Sequence, residues 1–256
     1  MVTDNLYQEA ARAISRSRNA LAFTGAGVSV ASGIPDFRSP GGLWSRYDPQ
    51  EVASDWALNN NPLEVWKFLL EAIRMISSAD PNPAHESLAR MEGMGFLKAV
   101  ITQNIDNLHQ RAGSRNVIEF HGGADTFYCH KCKKEYNQQQ ALAMTPDDIP
   151  WLCSRCYGVV RPGVVFFGEQ IPEKALQQTQ RLVMQADLIL VAGTSGDVAP
   201  AGTLPRWVKD RGGIIIEINL GRTAFEGISD IRLDEPAETA LPGILEALHP
   251  MRHANR

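Results

Sequence analysis

Apolar residues along this chain follow two alternating patterns. Short runs at 20–24, 98–102, 117–120, 187–192 and 213–219 are rich in Ala, Val, Leu and Ile and end in glycine or polar turns. That is the pattern of strands covered on both faces. Between them the apolar positions recur every three or four residues. In 4–17, Leu6, Ala10 and Ile14 share one face, and 83–94, 105–112, 172–185 and 199–210 have similar spacing, with 236–248 supplying a last helix. Strand alternating with helix predicts an α/β fold on a doubly wound parallel sheet.

Two segments break the alternation. Residues 39–80 begin as a loop rich in Pro, Gly and Trp and continue as helix from Pro62, with Val65, Trp66, Leu69, Leu70 and Ile73 at helical spacing. Residues 124–160 hold all four cysteines and few large aliphatic side chains. Both read as insertions that form a second, smaller domain beside a main one made of 1–38, 81–123 and 161–256. No internal repeat is present beyond the doubled cysteine pair.

Composition narrows the function classes. With 256 residues, 44% hydrophobic and 21% charged, the chain can bury a substantial core as a soluble globular protein. A net charge of −4 leaves no overall basic field for nucleic acid, so direct nucleic-acid binding is not expected and a basic partner suits the chain better. Apolar runs such as 188–192 and 214–216 fall far short of the roughly 20 residues of a membrane span. The first residues lack a basic-then-apolar signal pattern, so a cytoplasmic location is expected.

The strongest chemical signal is Cys129-x-x-Cys132 followed, after 20 intervening residues, by Cys153-x-x-Cys156. Four thiolates at this spacing fit one tetrahedral zinc with no open position, a structural ion. His130, inside the first pair, is expected to stay outside that shell. Gly25-Ala26-Gly27 follows a strand, where close glycines bring backbone near a pyrophosphate. Val30 stands where the third glycine of G-x-G-x-x-G belongs, and no G-K-[ST] follows. His121 ends another strand and can serve as general base or as a structural histidine. His85 and His109 fall on expected helices and read as structural. Thr102-Gln103-Asn104-Ile105-Asp106 suits ribose hydroxyls or a carboxamide, or an ordinary helix cap. Gly193-Thr194-Ser195 and Asn219-Leu220-Gly221 also leave strands. Four strand ends with small or amide residues are what a dinucleotide crevice requires.

Taken in order, the chain resembles the sirtuin family, NAD-dependent protein-lysine deacylases, of bacterial or archaeal type. The likeness rests on Gly25-Ala26-Gly27-Val28-Ser29, Ser32-Gly33-Ile34-Pro35-Asp36-Phe37-Arg38, Thr102 to His109, Glu119-Phe120-His121-Gly122, both cysteine pairs, Arg161-Pro162, Val164 to Glu169, Gly193-Thr194-Ser195 and Ile218-Asn219-Leu220. The resemblance implies a Rossmann-like NAD-binding domain with a cofactor loop and helical module at 39–80 and a zinc-binding module at 124–160. NAD and an acetylated protein substrate would enter the cleft between the domains from opposite sides.

Residue by residue, it implies that Gly25, Ala26, Gly27, Arg38, Thr194, Ser195, Asn219 and Ala237 hold the phosphates and adenosine. Gln103, Asn104, Ile105 and Asp106 hold the nicotinamide ribose and carboxamide. Ser29, Asp36, Phe37, Gly193, Leu220 and Gly221 complete the cofactor set. His121 and Asn104 are the implied catalytic residues, with His121 acting as general base through the ribose hydroxyls so that the acyl group ends on ADP-ribose. Val164, Val165, Phe166, Phe167, Gly168, Glu169 and Val198 are the implied substrate contacts, the peptide adding as a strand.

This chain departs from the family in Gly196-Asp197-Val198, where a Leu and an apolar or amide residue are common. Aligned through Asn61-Pro62 and Phe68, Leu69 and Ala72 stand where succinyl-removing members carry Tyr-x-x-Arg, which implies a preference for uncharged acyl groups. Mono-ADP-ribosyl transfer is the second enzymatic reading, disfavoured by His121 and the apolar substrate run. A non-enzymatic zinc-ribbon module is the third, and the acidic balance counts against it.

Overall fold

Strands covered on both faces must be apolar on both faces, and the computed structural model, which describes residues 2–36 and 41–253, is built around three such strands. The strands are β1 (Ala20–Thr24), β2 (Ala99–Thr102), β3 (Val117–Glu119), β4 (Gly122–Cys129), β5 (Glu135–Tyr136), β6 (Val160–Val164), β7 (Leu188–Ala192), β8 (Ile214–Ile218) and β9 (Ile231–Leu233). Every residue of β1, β2 and β7 is buried. Alternate side chains serve opposite cores, as the two-residue repeat of a strand dictates. Ala22, Val100, Leu190 and Ile216 pack under the helices Val2–Arg16, Pro83–Gly93 and Ala237–Leu248. Phe23, Ile101, Ile189, Val191 and Ile215 pack under Glu173–Gln185 and Leu204–Lys209.

These strands form one six-stranded sheet in the order β3-β2-β1-β7-β8-β9, parallel throughout. The connections wind outward from β1 in one direction and from β7 in the other. The direction reverses between them, and ligands of open α/β sheets bind beyond the carboxyl ends of the strands at that point.

The smaller lobe is an antiparallel sheet, β5-β4-β6, with its own core of Trp66, Phe127, Trp151, Val160 and Phe166. Trp66 lies on the helix Pro62–Ser78 and donates its indole N–H to the Val160 carbonyl at 2.9 Å. Through that side chain the helical segment and the cysteine-bearing sheet share one core. The zinc module is expected over 124–160, and β4 and β6 each run across one of its ends, so the sheet carries the chain through both points.

Two expected helices are shorter than their apolar spacing suggests. The helix expected over 105–112 is only Leu108–Arg111, because Asp106 Oδ1 accepts the Leu108 N–H and Asn107 takes a φ of 61°. The side chain thus competes with helix in the preceding turn. The helix expected over 199–210 is a 3₁₀ turn, Ala201–Thr203, followed by Leu204–Lys209, with Pro205 in its first turn where proline is tolerated. Val164 to Phe167 reads in the sequence as an apolar strand, but the paired strand is Val160–Val164, which ends where that run begins, and β4, β5 and β9 have no counterpart among the apolar runs.

At the reversal point the turns after β1 and β7 cross. Gly27 donates its N–H to the Gly193 carbonyl at 2.8 Å, and a Cβ on Gly27 would lie 2.7 Å from Gly193 Cα. Gly27→Ala should therefore force two backbones apart at a cost of about 1–3 kcal/mol. For a chain of this size that corresponds to a fall in Tm of roughly 3–10 °C, measurable by circular dichroism. An unchanged Tm would contradict the crossing.

Candidate active site

His121 directly follows β3 and Phe120, and its backbone carbonyl accepts the Val165 N–H at 2.8 Å. Its ring Nδ1 lies 3.1 Å from the Gln103 carbonyl. A carbonyl only accepts, so Nδ1 carries the proton and Nε2 is left with its lone pair. Burial holds the imidazole below its ordinary pKa, partly opposed by the Gln103 hydrogen bond. The site thus holds a neutral, oriented imidazole with a basic nitrogen.

Gln103 continues the wall of the crevice. Its N–H bonds to the Thr24 carbonyl at 2.9 Å and its side-chain amide donates to Thr194 Oγ1 at 2.8 Å, joining the ends of β1, β2 and β7. Asn104 is buried and donates to the Gly25 carbonyl and to Ser29 Oγ, each at 3.1 Å. Ser29 in turn donates to Asp106 Oδ2 at 2.7 Å and lies 3.4 Å from His85 Nε2. Ile105 packs against the small-lobe core, and its carbonyl accepts the Ala124 N–H.

The network continues below. His85 Nδ1 accepts the Asn82 N–H, and Asn82 caps the helix Pro83–Gly93 while bonding the Val28 carbonyl. Burial lowers the His85 pKa to about 4, with Asp106 opposing, and lowers His109, whose Nε2 is 2.9 Å from Thr24 Oγ1, to about 3. Both are neutral structural histidines, as read from sequence. His85, however, reaches the network under Ser29, which position on a helix does not reveal.

The other half of the crevice is built on β7 and β8. Gly25 donates its N–H to the Ala192 carbonyl and Gly27 donates to Gly193, so these glycines spend their amides on the crossing. Ala26 begins a 3₁₀ segment, Ala26–Ser32. Thr194 N–H bonds Asn219 Oδ1 at 2.7 Å, and the Ser195 carbonyl accepts the Ala224 N–H. Leu220 is 66% exposed, Gly221 donates its N–H to Asp234, and Ala237 is buried at the start of the last long helix. Asp36 is half-buried, and Phe37 and Arg38 lie outside the described residues.

On the far side, the segment after β6 is held by an ion pair. Arg161 is fully buried, and its guanidinium grips both carboxylate oxygens of Glu169, bonds the Val164 and Pro162 carbonyls, and lies over the Phe166 ring at 4.3 Å. Glu169 also accepts the Phe166 N–H at 2.9 Å. Burial pushes the Glu169 pKa up, but the Arg161 hydrogen bond, the Phe166 N–H and the Arg161 charge together more than offset it, so the carboxyl sits below its ordinary value. This clamp presents Val165, Phe167 and Gly168 outward from a rigid base. Phe167 bonds through its N–H to Ala53 and through its carbonyl to Asp55, and its ring lies 6.2 Å from Trp44, which is 6.0 Å from Phe68. Val198 is half-buried in the loop that leaves Ser195. Arg161 was legible as a charge inside an apolar run. The Trp44–Phe68 contact gave no sequence signal.

The four cysteines converge. Cys129 and Cys156 sulfurs are 3.5 Å apart, Cys132 and Cys153 sulfurs 3.6 Å apart, and all four lie within 4.8 Å of one another. Tetrahedral zinc with bonds of about 2.3 Å has sulfur–sulfur edges near 3.8 Å, so the set fits that ion and is too open for disulfides. The two pairs are conformational copies. Cys129 accepts the Lys133 N–H and Cys153 the Tyr157 N–H, with φ of 59° and 57° at Lys133 and Tyr157. His130 stands outside the set, 3.9 Å from Asp55. Chelation, or Cys129→Ser, should melt the small lobe and lower stability and activity together. Loss of turnover at unchanged stability would instead mark the metal as catalytic.

The Sir2 family model matches residues 25–200. An NAD-dependent protein deacylase of Pyrococcus abyssi is 45% identical over 93% of this chain and 96% of its own. An NAD-dependent protein deacetylase of Saccharolobus solfataricus is 44% identical over 94% of this chain and 96% of its own. Among solved structures, a Sir2 homologue with NAD superposes with a TM-score of 0.86 at 42% identity, covering 96% of this chain and 94% of that one. A Sir2 complex with a p53 peptide and NAD superposes with a TM-score of 0.84 at 38% identity, covering 92% and 95%. By sequence and by fold, this chain belongs to the Sir2 family.

Proposed function

We propose that the protein removes acetyl, or another uncharged acyl group, from lysines of other proteins, with NAD as co-substrate and the acyl group ending on ADP-ribose. The observation that carries this reading is His121, a neutral base oriented by the Gln103 carbonyl and bonded through its own carbonyl to Val165. NAD supplies an electrophilic ribose carbon with nicotinamide as its leaving group. Gly25, Ala26 and Gly27, with Gly193, Thr194 and Ser195, form the phosphate side, and Asn219, Leu220, Gly221 and Ala237 the adenosine side. Gln103, Asn104, Ile105 and Asp106 form the nicotinamide side, with Ser29 beneath them.

The peptide adds its backbone beside Val165 and Phe167, with Val198 on its other flank, and the acylated lysine reaches past His121. Fixing the acyl oxygen in line with the leaving group converts a weak nucleophile into an effective one, and His121 then takes the proton from a ribose hydroxyl. The zinc module supports the small lobe, and four reduced thiolates suit the cytoplasm.

Mass spectrometry of an acetyl-lysine peptide incubated with the protein and NAD tests the reading. Nicotinamide and O-acetyl-ADP-ribose should form one-for-one with deacetylated peptide. Free acetate released without NAD would refute it, and ADP-ribose on a protein side chain would favour the transferase instead.

His121→Ala should lower turnover by about 10²- to 10⁴-fold while leaving ADP-ribose binding within about twofold. Because burial lowers the His121 pKa, the imidazole stays neutral above that depressed value and protonates only as pH falls through it. The acid limb of kcat/KM should accordingly lie below pH 6.5 and vanish in the variant. Near-wild-type turnover would make His121 a structural histidine.

Acyl preference follows from the helix Pro62–Ser78. Leu69 is buried in the small-lobe core, Arg74 donates outward to the Met144 carbonyl, and the Glu71 carboxylate accepts both Arg46 and Tyr47. None of these leaves a cation for an acidic acyl end, and an unpaired buried charge costs about 3–5 kcal/mol. A succinyl peptide should be processed at least about 100-fold less efficiently than its acetyl counterpart. Equal kcat/KM for the two would contradict this.

A further inference from the structure

The proposed mechanism leaves one fully buried carboxylate unused. Glu217 lies on β8, the strand that leads into Asn219, with no exposed surface, between Val191 on β7 and Arg232 on β9 in the sheet register. Burying a carboxylate is costly unless donors surround it, and here they do. Thr223 and Ser229 hydroxyls each donate at 2.6 Å, Arg232 Nη1 stands 3.5 Å away, and the Asn219 amide is 3.4 Å away. Thr223 and Ser229 both belong to the loop between β8 and β9, so one side chain gathers that loop onto the sheet.

The loop serves both sides of the crevice. At its start, Asn219 faces Glu217 with its amide nitrogen, which turns its oxygen to the Thr194 N–H at 2.7 Å. Arg232, paired with Glu217, also donates to the Gly221 carbonyl. In the middle of the loop, Ala224 donates to the Ser195 carbonyl at 2.8 Å. Phe225 lies so close beneath Gly196 that a Cβ there would be 2.5 Å from the ring, which accounts for glycine at this departure from the family.

Resting on the cofactor reading above, we propose that Glu217 is a positioning residue that sets the adenosine side of the crevice, and through Ala224 and Phe225 the substrate loop, without touching either ligand. Gln103 to Asp106, on the nicotinamide side, are built on β2 and lie outside its hydrogen bonds.

Glu217→Gln keeps the shape and removes the charge, and Thr223→Val removes one donor while leaving the carboxylate. Calorimetry with ADP-ribose reads binding without turnover, and nicotinamide inhibition of peptide deacetylation reads the other side. ADP-ribose Kd and peptide KM should rise about three- to tenfold in both variants, with kcat and the nicotinamide inhibition constant within about twofold. Unchanged ADP-ribose affinity overturns the proposal. So does equal weakening of ADP-ribose and nicotinamide, which would report general destabilisation. Tight ADP-ribose binding by a wild type that fails to deacetylate would count against the deacylase reading alone. Absence of ADP-ribose binding by the wild type would remove the cofactor reading and this inference together.

Discussion

Two backbones crossing without side chains between them set the geometry of this protein's crevice. The turn after β1 reaches the turn after β7 closely enough that Gly27 bonds the Gly193 carbonyl. Glycine at Gly25, Gly27 and Gly193 is required by contact, and at Gly193 also by a φ of 63°. Because the crossing sits where the winding of the sheet reverses, it fixes the floor of the crevice against the two innermost strands, whose residues are all buried. The rest of the site is hung from that floor. Gln103 ties β2 to Thr194, Asn104 ties it to Gly25, and His121 is aimed by Gln103.

The walls depend on two ion pairs, each with one fully buried partner and each placed under a segment that meets a ligand in the proposed reaction. Arg161 and Glu169 hold the 164–169 turn, and Glu217 with Arg232 holds the loop between β8 and β9. A buried pair is weak evidence for stability, because desolvation offsets much of the attraction. What both pairs supply is geometry, since each carboxylate also accepts hydrogen bonds from the segment it organises. The surfaces proposed to meet the ligands are thereby held in place by the protein itself, which would lower the ordering cost of binding.

Much of this was legible in the chain because the signals were local. Buried parallel strands announce themselves as unbroken apolar runs, and the cysteine spacing specifies its own geometry. The motif order from Gly25 to Asn219 identified the family, which the comparisons then showed. What stayed hidden depends on contacts between distant segments. Strand β5 is two residues long and β4 is partly polar and irregular in register, and they exist because β6 and the Trp66 helix supply the other half of their core. The helix expected at 105–112 yielded to one aspartate side chain. His85 read as structural because no sequence pattern places it under Ser29. Glu217 and Arg161 did carry a signal, a charge inside an apolar strand, whose meaning required the partner.

In the proposed reaction, the crossing of Gly25–Gly27 with Gly193–Ser195 is the floor on which the pyrophosphate of NAD rests. A crystal structure with bound ADP-ribose tests it most directly. Pyrophosphate oxygens should lie within hydrogen-bond distance of backbone or hydroxyl groups at 26–29 and 194–195, with the adenosine toward Asn219 and the distal ribose toward His121. ADP-ribose seated elsewhere on the sheet, or reversed with its adenosine at Gln103, would contradict it.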